Sequence, residues 1–396
     1  MKKLILSVAL MGYALSASPL TQLALNNNYD IKALKEQTEA LKQEVDLSTT
    51  WENPKLTLGA KDIYFDEPLT RNQGAQNESL EFSQKIPTGS KLDIKEFIAV
   101  QNLAMKRLEL KDKKLSLIKD VNTLEALLGR IEADLNSVAK YEKLLSELKE
   151  AHLAYNATTS THYNQTLSNT ILEKSLLITK KTLLREKQSA LHKLESLINT
   201  KVSEPLHVNT NLLPYPFSNE TSKLLENNPK LQIQKLLSLR ELNNLRYEKA
   251  QKIPDVTVGI GYNRRQSRDD FWFLSFSVAL PIYGRENLSI RKAELSQNAS
   301  EQSVNSLSNT LTYELQDELL NKELQFEKIA LTRDILEENG RIYDNLSATA
   351  FAQNDVVLKL LSNLTQSLDT EIKINTLSYL YNQSIIKITY LLGEEL

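Results

Sequence analysis

Cysteine is absent from the chain, which excludes disulfides, thiolate metal ligation, thiol catalysis and a lipid anchor on an N-terminal cysteine. Histidine is scarce as well, confined to His152, His162, His192 and His207. His152 and His162 flank one stretch of small polar residues, but two imidazoles without thiolates or a carboxylate cluster make a poor metal site. Ten glycines and ten prolines in 396 residues leave little material for phosphate-cradling loops. No nucleophile and base stand in a recognisable constellation, so neither an enzyme nor a bound cofactor is expected. A net charge of −2 gives no electrostatic footprint for nucleic acid. Beyond the N-terminus, no apolar run approaches the ~20 residues of a membrane-spanning helix.

What is present begins with Lys2 and Lys3, an apolar stretch from Leu4 to Leu15, and the small residues Ser16, Ala17 and Ser18. This order predicts a signal peptide over 1–17. An exported chain without a spanning helix can cross a membrane only by strands.

The chain then says one thing twice. Asn53-Pro54-Lys55-Leu56-Thr57-Leu58-Gly59 returns 200 residues later as Ile253-Pro254-Asp255-Val256-Thr257-Val258-Gly259. In the same register, Leu25-Asn26-Asn27-Asn28-Tyr29-Asp30-Ile31 returns as Leu225-Glu226-Asn227-Asn228-Pro229-Lys230-Leu231. Each copy reads as helix, strand, polar loop, strand, proline and long helix. The expected organisation is a first repeat over 18–204, a linker over 205–219 and a second repeat over 220–396. Strand pairs are expected at 55–65/78–87 and 255–264/271–281, each preceded by one amphipathic helix, at about 20–49 and 221–252.

Proline is missing between Pro87 and Pro205 and again after Pro281, so a very long helical stretch follows each strand pair. Val121, Leu124, Leu128, Ile131, Leu135 and Val138 step alternately by three and four, the spacing of a coiled-coil seam. Val304, Leu307, Leu311, Leu315 and Leu319, then Val357, Leu361, Leu364, Leu368 and Ile372, do the same. A single helix of over ~100 residues would run about 150 Å, so each stretch is expected to fold into an antiparallel hairpin. The turns are placed near 155–163 and 347–356, where hydroxyl-bearing residues compete with the helical backbone. The segment 205–219, with Pro205, Pro214 and Pro216, cannot be regular helix.

The strands alternate as lipid-facing barrel strands do. Leu80, Phe82 and Ile86 stand on one face of the second, Val256, Val258, Ile260 and Tyr262 on the third, and Trp272, Leu274, Phe276, Val278 and Leu280 on the fourth. The first is weakest, with Leu56, Leu58 and Ala60. Trp272, Phe271, Tyr262 and Tyr64 near the loops, and Trp51 and Tyr283 near the helices, suit two aromatic girdles. Arg264, Arg265, Arg268, Asp269 and Asp270 form a charged loop expected outside the cell. Four strands with two open edges cannot stand in hydrocarbon, so strands must be pooled between chains. Two chains would give eight strands, too narrow for more than side chains, and three would give twelve. The competing reading is a periplasmic coiled-coil adaptor or scaffold without a barrel.

The tandem repeat, the Asn53-Pro54 and Ile253-Pro254 strand openers, and the strand exits Phe82-Ser83-Gln84-Lys85-Ile86-Pro87-Thr88-Gly89 and Phe276-Ser277-Val278-Ala279-Leu280-Pro281-Ile282-Tyr283-Gly284 together resemble the TolC-like outer-membrane efflux family. The resemblance covers essentially the whole mature chain. It implies a mainly α fold with a membrane β-barrel: a homotrimer whose twelve-stranded barrel in outer-membrane lipid continues as a periplasmic α-helical tunnel. It also implies a passive exit duct for efflux or type I export in a Gram-negative bacterium. The helical tips would dock on a periplasmic adaptor, or membrane fusion protein, fed by an inner-membrane pump of RND, ABC or MFS type. Tip residues suited to that contact are Tyr155, Thr158, Thr161, Tyr163, Phe351, Asn354 and Asp355. Asp355, repeated around an axis, is also the candidate pore gate, in competition with a plain helix-cap role.

Overall fold

The computed structural model describes residues 18–61, 77–155, 160–202, 211–265, 268–349 and 354–394, with side chains described outside 151–165 and 349–355. The expected signal peptide, Tyr64, Thr158, Phe351 and the first part of the linker therefore lie outside the described residues. In chain order the elements are α1 (Pro19–Asn27), α2 (Tyr29–Thr49), β1 (Lys55–Lys61), β2 (Asn77–Ile86), α3 (Lys91–Tyr155), α4 (Ser160–Ile198), α5 (Glu220–Asn227), α6 (Pro229–Ala250), β3 (Val256–Arg265), β4 (Phe271–Val278), α7 (Arg285–Thr349) and α8 (Asn354–Leu392). The mainly helical fold with one small sheet is the expected class. No described helix is long and apolar enough to cross a membrane.

Where one helix was expected ahead of each strand pair there are two, because an asparagine breaks each helix at the same repeat position. The Asn28 N–H closes α1 on the Ala24 carbonyl, but its backbone turns extended at φ −63°, ψ 124°. Its Oδ1 then accepts from the N–H groups of Asp30 (3.0 Å) and Ile31 (3.2 Å), capping α2. Asn228 repeats the break at φ −62°, ψ 117°, and Pro229 opens α6, where a missing N–H costs nothing.

The chain forms two compact units: one from Met1–Lys32, Lys111–Asn228 and Asn309–Leu396, the other from Ala33–Leu110 and Pro229–Ser308. Among the described residues, the first is helical apart from its connecting segments. Ile131, Val138, Tyr141 and Leu145 of α3, Leu176 and Leu183 of α4, and Val357, Leu361, Leu364 and Leu368 of α8 form its largest apolar cluster. Six of these, Ile131, Val138, Val357, Leu361, Leu364 and Leu368, are positions of the predicted seams. Charge pairs then fix the register of the α3–α4 hairpin: Lys149 with Glu173 (2.7 Å), Lys180 with Glu142 (2.7 Å) and Arg130 with Glu186 (2.8 Å). As the α3 number rises its α4 partner's falls, so the two helices run antiparallel. Lys387 of α8 reaches Glu318 (2.8 Å) of α7, and Asn363 Nδ2 donates to the Asn339 carbonyl (3.2 Å), so α7 and α8 are antiparallel too. The described part of the linker is non-helical. It is strapped to α8 by Leu213 N–H donating to Asn382 Oδ1 (2.8 Å) and Asn382 Nδ2 donating to the Asn211 carbonyl (3.0 Å).

The second unit holds the sheet, an antiparallel meander in the order β1-β2-β3-β4. Its central pair, β2 with β3, joins the two repeats over ten unbroken positions from Asn77↔Arg265 to Ile86↔Val256.

Candidate functional site

Unbroken register is what gives the sheet two chemically distinct faces. Since side chains alternate and no bulge interrupts the ladders, even-numbered residues of all four strands share one face. Leu58, Leu80, Tyr262 and Trp272 lie in one cross-strand row, and Leu56, Phe82, Ile260 and Leu274 in the next. Val258 then faces Phe276, and Ile86, Val256 and Val278 make a further row. The residues expected on the lipid side are thus brought together on a single surface. Ala60 and Glu78, with Arg264 opposite Glu78, close that surface at the loop end.

This face is uncovered. Leu58 is 77% exposed, Trp272 70%, Phe276 71% and Leu280 72%, with Leu56, Leu80, Phe82, Ile260 and Leu274 also exposed. Removing each such side chain from water is worth about 1.5–3 kcal/mol, so nine of them represent roughly 15–25 kcal/mol. That exceeds the whole ~5–15 kcal/mol by which domains are stable. From Trp272 to Leu280 the apolar ladder advances about 27 Å along the chain, or about 21 Å in height at a tilt of ~40°, close to the ~25 Å apolar band of a membrane barrel.

The opposite face is built from small and polar residues. A Cβ on Gly261 would strike the ring of Phe273, so this position is held as glycine by an aromatic lying across it. Ser275 donates to Glu81 Oε1 (2.7 Å) across two strand spacings. Phe271 falls on this face by alternation, paired with Asn263, and its ring lies 4.8 Å beneath the Arg265 guanidinium. Its place in an outward girdle is therefore corrected. Trp272 and Tyr262 do stand outward together, their ring centroids 5.1 Å apart, while Trp51 and Tyr283 are exposed at the helix end.

Below the sheet a buried cation locks the repeats together. Lys91, 3% exposed at the start of α3, donates to the Ile253 carbonyl and to Asp255 Oδ1, both at 2.6 Å. Thr88 N–H donates to the same carboxylate oxygen (3.2 Å), and Lys85 approaches its other oxygen at 3.4 Å while holding Glu52 at 3.0 Å. Lys85 and Asp255 both stood in the quoted repeat segments, but neither spacing nor periodicity revealed their pairing.

In the helical unit, Asp134 is fully buried on α3. Burial pushes its carboxyl above the usual carboxylate value, against the lowering effects of Asn375 and Arg130. Asn375 Nδ2 donates to Asp134 Oδ1 (2.9 Å), and Arg130 Nη1 to Oδ2 (3.1 Å). With Arg130 one turn earlier on the same face, its sequence context reads as an ordinary helix ion pair and gives no sign of this burial. At the hairpin ends, Tyr155 is the last residue of α3, Thr161 and Tyr163 lie early in α4, and Asn354 and Asp355 open α8. The side chains of these five are outside the described residues. No group of acidic or imidazole side chains able to hold a metal occurs among the described residues.

No protein-family model and no curated protein matches the chain. Solved structures do. The open-state MtrE outer membrane channel of Neisseria gonorrhoeae superposes with a TM-score of 0.80 at 14% identity, over 95% of this chain and 88% of that one. The Campylobacter jejuni CmeC outer membrane channel gives 0.77 at 14% identity, over 94% and 84%. The Vibrio cholerae outer membrane protein VceC gives 0.72 at 15% identity, over 95% of each. The chain therefore has the fold of outer-membrane channel protomers.

Proposed function

We propose that this chain is one protomer of an outer-membrane channel, a passive exit duct that docks on a periplasmic adaptor fed by an inner-membrane transporter. The observation that carries the reading is the apolar face aligned across four strands whose outer members, β1 and β4, each have one ladder neighbour among the described residues. In lipid that face is stabilised, whereas open edges are not. Three copies pairing β4 of one chain with β1 of the next close a twelve-stranded barrel and leave the polar face around a lumen. The tip residues Tyr155, Thr158, Thr161, Tyr163, Phe351, Asn354 and Asp355 are the proposed adaptor contacts, and Asp355 the proposed gate. An adaptor without a barrel gives no reason for the outward ladder from Trp272 to Leu280.

The test is reconstitution of the detergent-extracted protein in planar bilayers. Discrete conductance steps from a particle of three chains are expected. A water-soluble monomer that inserts into no bilayer would end the proposal.

A further inference from the structure

The lumen-facing side of the sheet is not neutral, and its charge bears on what the duct passes. By the same alternation that aligns the apolar ladder, Lys55 and Lys61 of β1, Glu81 and Lys85 of β2, and Arg265 of β3 share the polar face. Lys85 is balanced at the helix end, where Lys85 and Lys91 sit against Glu52 and Asp255. Arg265 hydrogen-bonds the Asp269 carbonyl through Nε (2.9 Å) and Nη2 (2.6 Å), and the Asp270 carboxylate, which accepts the Arg265 N–H (2.8 Å), stands beside it and offsets its charge. Glu81, held by Ser275, is the one carboxylate on this face of the strands. Setting the balanced pairs aside leaves Lys55 and Lys61 against Glu81. Among the described strand residues that is a surplus of one positive charge per chain, or three around a barrel of three.

We propose that the sheet-lined section of the pore selects for anions, so that the cargo it favours is a small solute of net negative charge. This rests on the channel reading above. Twelve strands spaced ~4.8 Å apart and tilted ~40° enclose a barrel of roughly 12 Å backbone radius, narrower once side chains are subtracted. That is comparable to the ~10 Å screening length at 0.1 M salt and well beyond the ~3 Å at 1 M. Fixed lysines therefore act on ions across the lumen at moderate salt, as rings of cations do in anion pores.

The experiment is the reversal potential of the reconstituted full-length protein across a potassium chloride gradient. Chloride should be preferred over potassium by about twofold or more near 0.1 M and approach parity near 1 M, following the screening length. The Lys55→Glu/Lys61→Glu variant turns the surplus of one into a deficit of three per chain and should invert the preference. The milder Lys55→Gln/Lys61→Gln leaves Glu81 alone and should remove the anion preference, and Glu81→Gln should raise it. With Asp355→Asn in the background, so that the proposed acidic gate does not contribute, channels that prefer potassium, or a reversal potential unmoved by these substitutions, would overturn the inference while leaving the channel intact. Absence of any conductance step would instead overturn the channel reading itself.

Discussion

The two repeats close the same joint with different residues. In the first, α4 ends at Ile198 and Asn199 turns left-handed at φ 55°; Asn199 Nδ2 donates to the Asn27 carbonyl (3.4 Å) and Asn28 Nδ2 to the Leu197 carbonyl (3.2 Å). In the second, α8 ends at Leu392, Gly393 turns at φ 70°, and Asn228 Nδ2 donates to the Leu391 carbonyl at a shorter 2.8 Å. A Cβ on Gly393 would run into the Asn227 carbonyl oxygen. The same topology is thus held apart by a side chain in one copy and pressed backbone to backbone in the other. The sheet joints differ too. Asp255 receives Lys91, but the repeat equivalents of this pair are Lys55 and Arg285, two cations. The seam made within the chain is ionic; the seam left for a neighbouring chain in the proposed barrel is not.

The sharpest way to break this comparison is to exchange the two left-handed caps. Gly393→Asn places at the second joint the residue that serves the first, yet the approach of Asn227 leaves it no room. A loss of about 1.5–3 kcal/mol is expected, within the range for a strained backbone position. Asn199→Gly should lie within about 0.5 kcal/mol of the parent, since glycine adopts the same conformation freely. Thermal unfolding followed by circular dichroism of the assembled protein decides it, and equal effects would refute the asymmetry. Next in size are the anchoring asparagines. Asn228→Ala should cost about 1–3 kcal/mol because it strips a buried, short bond, and Asn28→Ala nearer 1 kcal/mol because its site is wetter.

Much of this was legible from residue order alone. The alternation in β3 and β4, the two proline-free stretches and the duplicated openers specified the sheet, the long helices and the pseudo-symmetry, because each rests on a local period. The helix breaks at Asn28 and Asn228 are masked in the sequence, although an asparagine followed by proline in the second copy is a boundary signal. What stood in their way is that Leu25, Ile31, Leu225 and Leu231 keep an amphipathic pattern running through the break. Pairings such as Lys91 with Asp255 or Asp134 with Asn375 join residues 164 and 241 apart in sequence. No periodicity reports on those. Phe271 suits a girdle by its aromatic character, whereas strand parity sets it on the polar face opposite Asn263.

A smaller effect tests the helical unit against the sheet unit. Burial raises the Asp134 pKa above its ordinary 3.8, so the fold favours the protonated form. Its contribution is fully present below 3.8 and is lost as pH rises through the elevated folded value. Asp134→Asn removes this dependence while keeping an uncharged partner for Asn375. The stability of the variant relative to the parent should therefore climb as pH rises through the window above 3.8, then level off. A flat difference across that window would show that Arg130 and Asn375 already offset the burial.

The smallest effect concerns the hairpin ladder. Glu142 and Lys180 are each about a third exposed or more, at 32% and 40%. Such pairs contribute about 0.3–0.5 kcal/mol and less in salt. A double-mutant cycle with Glu142→Gln and Lys180→Gln should return a coupling of that size, largely gone near 1 M salt. The ladder's importance lies elsewhere. Ile131, Val138 and Leu145 repeat every seven residues, so sliding α4 along α3 by two turns presents a similar apolar stripe. Charges at 130, 142 and 149 meet their partners in one alignment only. Replacing Glu173, Lys180 and Glu186 of α4 together should leave helicity intact but broaden the unfolding transition, as alternative registers become populated.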